Sequence, residues 1–182
     1  WDANANENQQ WLNNPNRLGK DDLGRIYGVQ ARGWHSNIRR SSIWGTIDQL
    51  QMCVDDLSKG IDNRREIVSH WNPGEMDEMA LPPCHLLYQL GLEGERLNLT
   101  MYQRSADFPL GVPFNIAGYS WLLHVIARIT GHTPGMFTHF IHDAHIYVDQ
   151  IDLMKQQLKR ETFALPKFEM KEHIETLEDL EQ

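Results

Sequence analysis

Leu81-Pro82-Pro83-Cys84-His85 sets a thiol directly after two prolines. Proline fixes φ, so this thiol stands on a stiffened turn. A thiol becomes a useful nucleophile when a cationic neighbour favours the thiolate. Arg104, at the far end of the hairpin that Cys84 opens, is the candidate neighbour. The competing reading makes Cys84 a small buried hydrophobe and His85 a satisfied core histidine. Cys53, inside an apolar helical pattern, reads as core. Arg64-Arg65 follows Asp62-Asn63 in a turn, and Arg104-Ser105 follows Gln103 at a strand end. Three guanidiniums and a hydroxyl at bends suit a phosphate dianion, although a solvated or salt-bridged role stays open for each arginine. Asp107, Asn115, His145 and Tyr147 are polar residues among apolar ones. A buried amide at Asn115 must pair its donors and acceptors, with a pyrimidine edge or with nearby backbone. His132, His139 and His142 form no metal pattern with the cysteines, since neither C-x-x-C nor H-E-x-x-H occurs, and no metal is assigned.

Regular elements must position these groups. Residues 1–24 are rich in Asn, Asp and Gly and read as a surface loop after a Trp1-led segment. Ile47, Leu50, Val54 and Leu57 step by helical intervals, with Gly60 beyond them as a C-cap signal. Ile67 to Trp71 is a β-branched run stopped by Asn72-Pro73-Gly74. His85–Leu92 and Arg96–Arg104 flank Glu93-Gly94-Glu95, and Leu97, Leu99 and Met101 alternate with polar residues, which predicts a hairpin with one buried face. Ala117 to Ile129 is apolar almost all round and reads as an internal helix closed by Gly131. Asp149 to Arg160 reads as a second amphipathic helix, with a strand-like stretch around Pro166-Lys167-Phe168 and an acidic end after it. Hairpins interspersed with helices predict an α+β class.

The 182 residues are expected to form a single domain, 1–182. The 17 basic against 25 acidic residues give a net charge of −8, which disfavours a nucleic-acid polymer or an anionic membrane as partner. The longest apolar stretch, Trp121 to Ala127, contains His124 and ends at Arg128. It falls far short of the roughly 20 residues that span a bilayer. Two cysteines make no disulfide framework, so a reducing, cytoplasmic setting is expected. A local cationic site within an acidic chain favours a small phosphorylated ligand.

Taken together, Trp1-Asp2-Ala3-Asn4, Leu23 to Gly28, Arg64-Arg65, Trp71-Asn72-Pro73, Ala80 to His85, Tyr102 to Ser105, Leu110 to Ala117 and Asp143 to Tyr147 resemble the thymidylate synthase family. The segments keep the family's order from residue 1 to about 168. The resemblance implies a mixed β-sheet packed with helices, with a sheet face at a homodimer interface. It implies a one-carbon transfer from 5,10-methylenetetrahydrofolate to C5 of dUMP, through addition of Cys84 to C6 of the ring and without a metal. Arg104 and Ser105 would hold the 5′-phosphate, and Arg64 and Arg65 would reach the phosphate of the neighbouring subunit. Asn115 would read the uracil edge, and His145 with Tyr147 the sugar hydroxyl. Trp1, Asn4, Asp107, Leu110, Gly111 and Phe114 would line the folate site, with Tyr27 near the thiol.

Three departures stand out. His142 replaces the usual Gly before Asp-Ala-His-Ile-Tyr, Asp149-Gln150 replaces Asn-His, and Arg25 stands where Pro is common. They leave open a phage-type dUMP hydroxymethylase, in which water rather than hydride captures the methylene. The family's N-terminal segment and C-terminal tail are expected to lie outside this sequence, which prompts a further alternative, a noncatalytic nucleotide-binding module. Asn115 favours uracil, because cytosine-directed relatives tend to carry Asp there.

Overall fold

The alternation at Leu97, Leu99 and Met101 places the centre of the main sheet. A computed structural model describes residues 2–38, 43–170 and 174–181. It contains helices α1 (Asp2–Asn6), α2 (Gln9–Leu12) and α3 (Gly28–Gly33), strands β1 (Trp34–Ile38) and β2 (Ile43–Ile47), and helix α4 (Gln49–Ser58). Strands β3 (Ile67–Ser69), β4 (His85–Glu93), β5 (Arg96–Gln103) and β6 (Ala106–Asp107) precede the long helix α5 (Gly111–Thr130). Strands β7 (Thr133–Ile141) and β8 (Ala144–His145) and helix α6 (Ile151–Gln157) follow.

The main sheet has the order β3-β4-β5-β7. β3, β4 and β5 are antiparallel neighbours, the β4–β5 hairpin turning at Gly94 with φ 62°, whereas β7 runs parallel to β5. A parallel pair needs a long crossover, and α5 supplies it. One sheet face carries the fully buried Val68, Leu90, Leu97, Leu99 and Met101, packed with Leu57 of α4 and Ile126 of α5. β6 and β8 form a separate parallel pair that joins Asp107 to His145.

Several expectations are corrected by packing. Ile47 ends a strand instead of starting the helix, because Asp48 accepts from Gln51 N at 2.9 Å and caps α4 there. The N-terminal segment is not all loop: Asn8 caps α2, and Trp11 is buried with its indole N–H on Asp22 O at 2.7 Å. α5 begins at Gly111, not Ala117, since Pro113 in the first turn costs no helical hydrogen bond. Nor is α5 buried all round: Phe114, Ile116 and Trp121 are exposed. No residue of α6 is buried, and residues 161–170 form no strand, leaving Phe163 and Leu165 bare.

A buried carboxylate ties the segment around α3 to the segment that leads to Cys84. Glu75 accepts from Arg25 Nε at 2.9 Å and Gln30 Nε2 at 2.6 Å on one oxygen, and meets His35 Nδ1 at 2.7 Å on the other. Gln30 in turn accepts from Asn72 Nδ2 at 3.2 Å. Burial alone would raise the Glu75 pKa, but the donors from Gln30 and Arg25 and the nearby charges hold it below its ordinary value. Main-chain bonds continue the registration, Arg25 N to Glu78 O at 2.9 Å and Ala80 N to Leu23 O at 3.0 Å. Gly24 sits in this seam at φ 73°, and a Cβ there would overlap Glu78 O and lie 2.6 Å from the Trp11 ring. Gly24→Ala is therefore expected to cost at least about 2 kcal/mol from left-handed backbone and overpacking together. Urea unfolding of the variant checks it, and an unchanged midpoint would refute the close approach.

Candidate active site

Cys84 occupies the last position before β4 and is half-buried. Pro82 and Pro83 remove two N–H donors from this turn, so its carbonyls need outside partners. Arg104 provides them: Nε donates to Pro83 O at 3.0 Å and Nη2 to Pro82 O at 2.9 Å. Its own N–H donates to Cys84 O at 2.9 Å, and its guanidinium lies 5.7 Å from the Trp71 ring centroid. The expected meeting of Arg104 with the thiol turn is thus present, made through the turn's carbonyls.

Tyr27 approaches from the other side, accepting a hydrogen bond from Cys84 N at 3.0 Å. Its φ of 41° at the head of α3 is the backbone distortion that aims the ring inward, the kind of strain that clusters at functional sites. Burial, chiefly, raises its pKa to about 12, the Cys84 charge adding to the rise and Arg104 opposing it. The phenol therefore keeps its proton at neutral pH.

Asn115 reaches the same place from α5. Its side chain hydrogen-bonds His85, whose Nδ1 also lies 3.3 Å from the Tyr119 hydroxyl. Asn115 and Tyr119 are four residues apart and so share one helix face. A Cβ built on Gly111 would lie 3.6 Å from Asp107 Cβ and 3.8 Å from Asn115 Oδ1, so these two polar groups flank one glycine. Asp107 accepts from Leu110 N at 3.3 Å and from Gln150 Nε2, while Leu110 and Phe114 beside it are bare. His145 meets Asp143 Oδ1 at 2.9 Å and Tyr147 ring to ring at 5.1 Å. Gln103 Nε2 donates to Ser105 O at 2.9 Å.

Asn4 lies on α1, four residues before Asn8, whose amide donates to Ala80 O at 3.0 Å. Trp1 lies outside the described residues. Arg64 and Arg65 are exposed beside the middle of β4, where Gln89 Nε2 donates to Arg64 O at 3.2 Å. That is roughly 16 Å along the strand from Cys84, so within one chain they do not join the thiol. Arg65 instead lines a cavity of about 430 Å³ with Trp34, Met52 and Cys53. Burial, above all, pushes the Cys53 thiol up to about 12, leaving it protonated and inert.

The structure adds residues that sequence reasoning passed over. Gln103 is buried and accepts from His139 at 2.8 Å, His139 stacks on Phe137, and Phe137 stacks on Tyr119. The signal for Gln103 was present: it continues the inward parity of Leu97, Leu99 and Met101, where a polar residue needs a partner. Among the described residues no group of three or more His, Cys, Asp or Glu is placed to hold a metal. Nor is any helix there long and apolar enough to cross a membrane.

Fold and site together define an α+β domain organised around one placed thiol, with a guanidinium and an amide converging on its turn. The sequence model of thymidylate synthase matches residues 1–182. The chain belongs to the thymidylate synthase family. It is 52% identical over 182 residues to a thymidylate synthase of Shewanella pealeana, and 53% identical to those of Actinobacillus succinogenes and Histophilus somni. In each case the match covers 100% of this chain and 62% of the relative, so the chain spans under two thirds of their length.

Burial lowers the pKa of both His70 and His85 from 6.5 to about 4; the His85 charge lowers that of His70 further, and His139 that of His85. Hydrogen bonds that favour the charged rings, from His70 Nδ1 to the His85 carbonyl and from His85 to the Asn115 side chain, offset part of this. Between these limits the unfolded chain binds more protons than the folded one, so stability is full above pH 6.5 and falls as pH drops towards 4. Thermal melts across that window are expected to show a falling Tm, with a shallower slope in His70→Asn. A flat profile in the parent protein would contradict the buried neutral imidazoles.

Proposed function

We propose that the full-length protein is a thymidylate synthase that methylates dUMP at C5 using methylenetetrahydrofolate. The observation that carries this reading is the convergence of Arg104, Tyr27 and, through His85, Asn115 on the Cys84 turn. The Cys84 thiolate adds to C6 of the uracil ring, forming the S–C bond while the C5–C6 π pair becomes an enolate with nucleophilic carbon at C5. Asn115 can offer a donor to the uracil O4 and an acceptor to N3–H, which a carboxylate there could not do without a proton. Arg104 and Ser105 hold the 5′-phosphate, and Arg104 reaches it while still gripping the thiol turn. His145 and Tyr147 take the sugar hydroxyl. Once the carbon unit is joined at C5, the C5 proton is lost and the unit is reduced, the C5–C6 double bond re-forms with cleavage of the S–C bond, which returns Cys84 as thiolate for the next cycle.

The residues present fit a folate. Asp107 offers carboxylate lone pairs to an N–H donor, and the bare side chains of Leu110 and Phe114 give the adjoining apolar wall. Trp1, Asn4 and Gly111 would complete that side. When bound, methylenetetrahydrofolate supplies the carbon unit and then the hydride that reduces it.

A homodimer completes the reading. The sheet face opposite the core exposes Ile67, Leu87, Tyr102, Met136 and Phe140, and the pairing Leu87–Tyr102–Phe140 sets three of them in one row across β4, β5 and β7. Such a patch marks an interaction surface. Arg64 and Arg65 precede the edge strand β3 and lie too far from their own Cys84, which supports a role at a partner's phosphate. The acidic net charge supports a small-molecule substrate over a nucleic-acid polymer, and a cytoplasmic location agrees with the use of a free thiol.

The wild-type protein is expected to convert dUMP to dTMP, not to 5-hydroxymethyl-dUMP, by product mass, and to form a covalent complex with 5-fluoro-dUMP and folate. Cys84→Ala should lose both while still binding dUMP. An adduct at Cys53 would overturn the assignment. For the dimer, mixing inactive Cys84→Ala with inactive Arg65→Ala subunits is expected to restore up to about a quarter of wild-type activity through hybrids with one intact site. No recovery, or a monomer in sedimentation, would refute the shared site.

A further inference from the structure

Gln150 stands where the family usually has histidine, and the proposed reaction assigns it no part. The turn Val148–Gln150 brings its amide against Asp107. Gln150 Nε2 donates to both carboxylate oxygens, at 3.2 and 3.0 Å, while its Oε1 accepts from Tyr147 N at 3.0 Å. One side chain thus ties the end of β6, on the proposed folate side, to the loop after β8, on the proposed sugar side. Without it, Asp107 retains the long contact from Leu110 N at 3.3 Å, which leaves the carboxylate plane free to turn. A chelating amide fixes that plane and, being neutral, leaves the carboxylate its full negative charge.

We propose that Gln150 is a positioning residue that presents Asp107 to an N–H donor of the pterin ring. This rests on the folate-dependent reading above. Gln150 Nε2 sits between the two carboxylate oxygens, so the lone pairs on their outer sides are the ones left for a ligand, and the plane of the carboxylate decides where they point. Gln150 sets that plane, and its second bond, from Tyr147 N, ties it to the turn after β8.

The test is calorimetric binding of tetrahydrofolate to the full-length protein saturated with dUMP, alongside KM and kcat for methylenetetrahydrofolate and the Kd of dUMP alone. Gln150→Leu is expected to weaken tetrahydrofolate binding and raise that KM by about tenfold, the usual scale for a hydrogen bond to a charged group. kcat should change less than the KM does, and the dUMP Kd should stay within about twofold, as interactions made equally in ground and transition states require. Gln150→His, which restores an N–H donor, should recover most of the affinity. Should Gln150→Leu fail to fold, the near-isosteric Gln150→Glu sets a second carboxylate against Asp107 and should weaken tetrahydrofolate binding at least as much. Unchanged tetrahydrofolate affinity in the variants overturns the proposal, and so does equal weakening of both ligands with a lowered Tm. Wild-type protein that binds dUMP but no tetrahydrofolate overturns the folate reading as well, whereas wild-type binding matched by Gln150→Leu overturns this inference alone.

Discussion

A carboxylate removed from water must be met by donors on every side, and Glu75 is the group around which this chain arranges itself. Arg25, Gln30 and His35 come from one stretch and Asn72, through Gln30, from another. Losing any one donor leaves charge uncompensated in a setting of low polarity, so the stretches are locked at a single relative position. Tyr27 lies within the first stretch and Cys84 a few residues beyond the second. The placement of phenol against thiol turn is thus decided some distance away from both.

The sheet contributes the other coordinate. β4 begins at the residue after Cys84, β5 ends at the residue before Arg104, and their antiparallel register pairs His85 with Gln103. A slip by one residue would turn Leu97, Leu99 and Met101 outward, so the core penalty protects the pairing of thiol and guanidinium. α5 then brings Asn115 and Tyr119 to His85 because its buried stripe fixes how it rolls on the sheet. Ordinary apolar packing sets the position of each polar group.

Legibility in the sequence followed the range of the forces involved. The β4–β5 hairpin and α4 were readable because period and turn chemistry are local, as were Cys84 and Arg104, whose proline turn and strand end announce themselves. The start of α5 is hidden in the sequence because Pro113 looks like a breaker until its place in the first turn is known. The Glu75 cluster left no local trace: its members are spread from Arg25 to Glu75 and each reads alone as a surface residue. Gln150 stands out in the sequence only as an unusual letter, since its partner lies 43 positions away. Surface stretches such as 161–170 carried a strand-like composition that no neighbouring edge takes up.

Arg104 spends its Nε hydrogen and one Nη2 hydrogen on the carbonyls of Pro83 and Pro82. The Nη1 amino group and the remaining Nη2 hydrogen are left for another acceptor. The same rigid plane therefore has one edge fastened to the backbone beneath the sulfur and the other edge available to an incoming anion. A guanidinium is planar and rigid, so an acceptor at the outer edge and the two proline carbonyls at the inner edge are held by a single plane, and neither can be placed without the other.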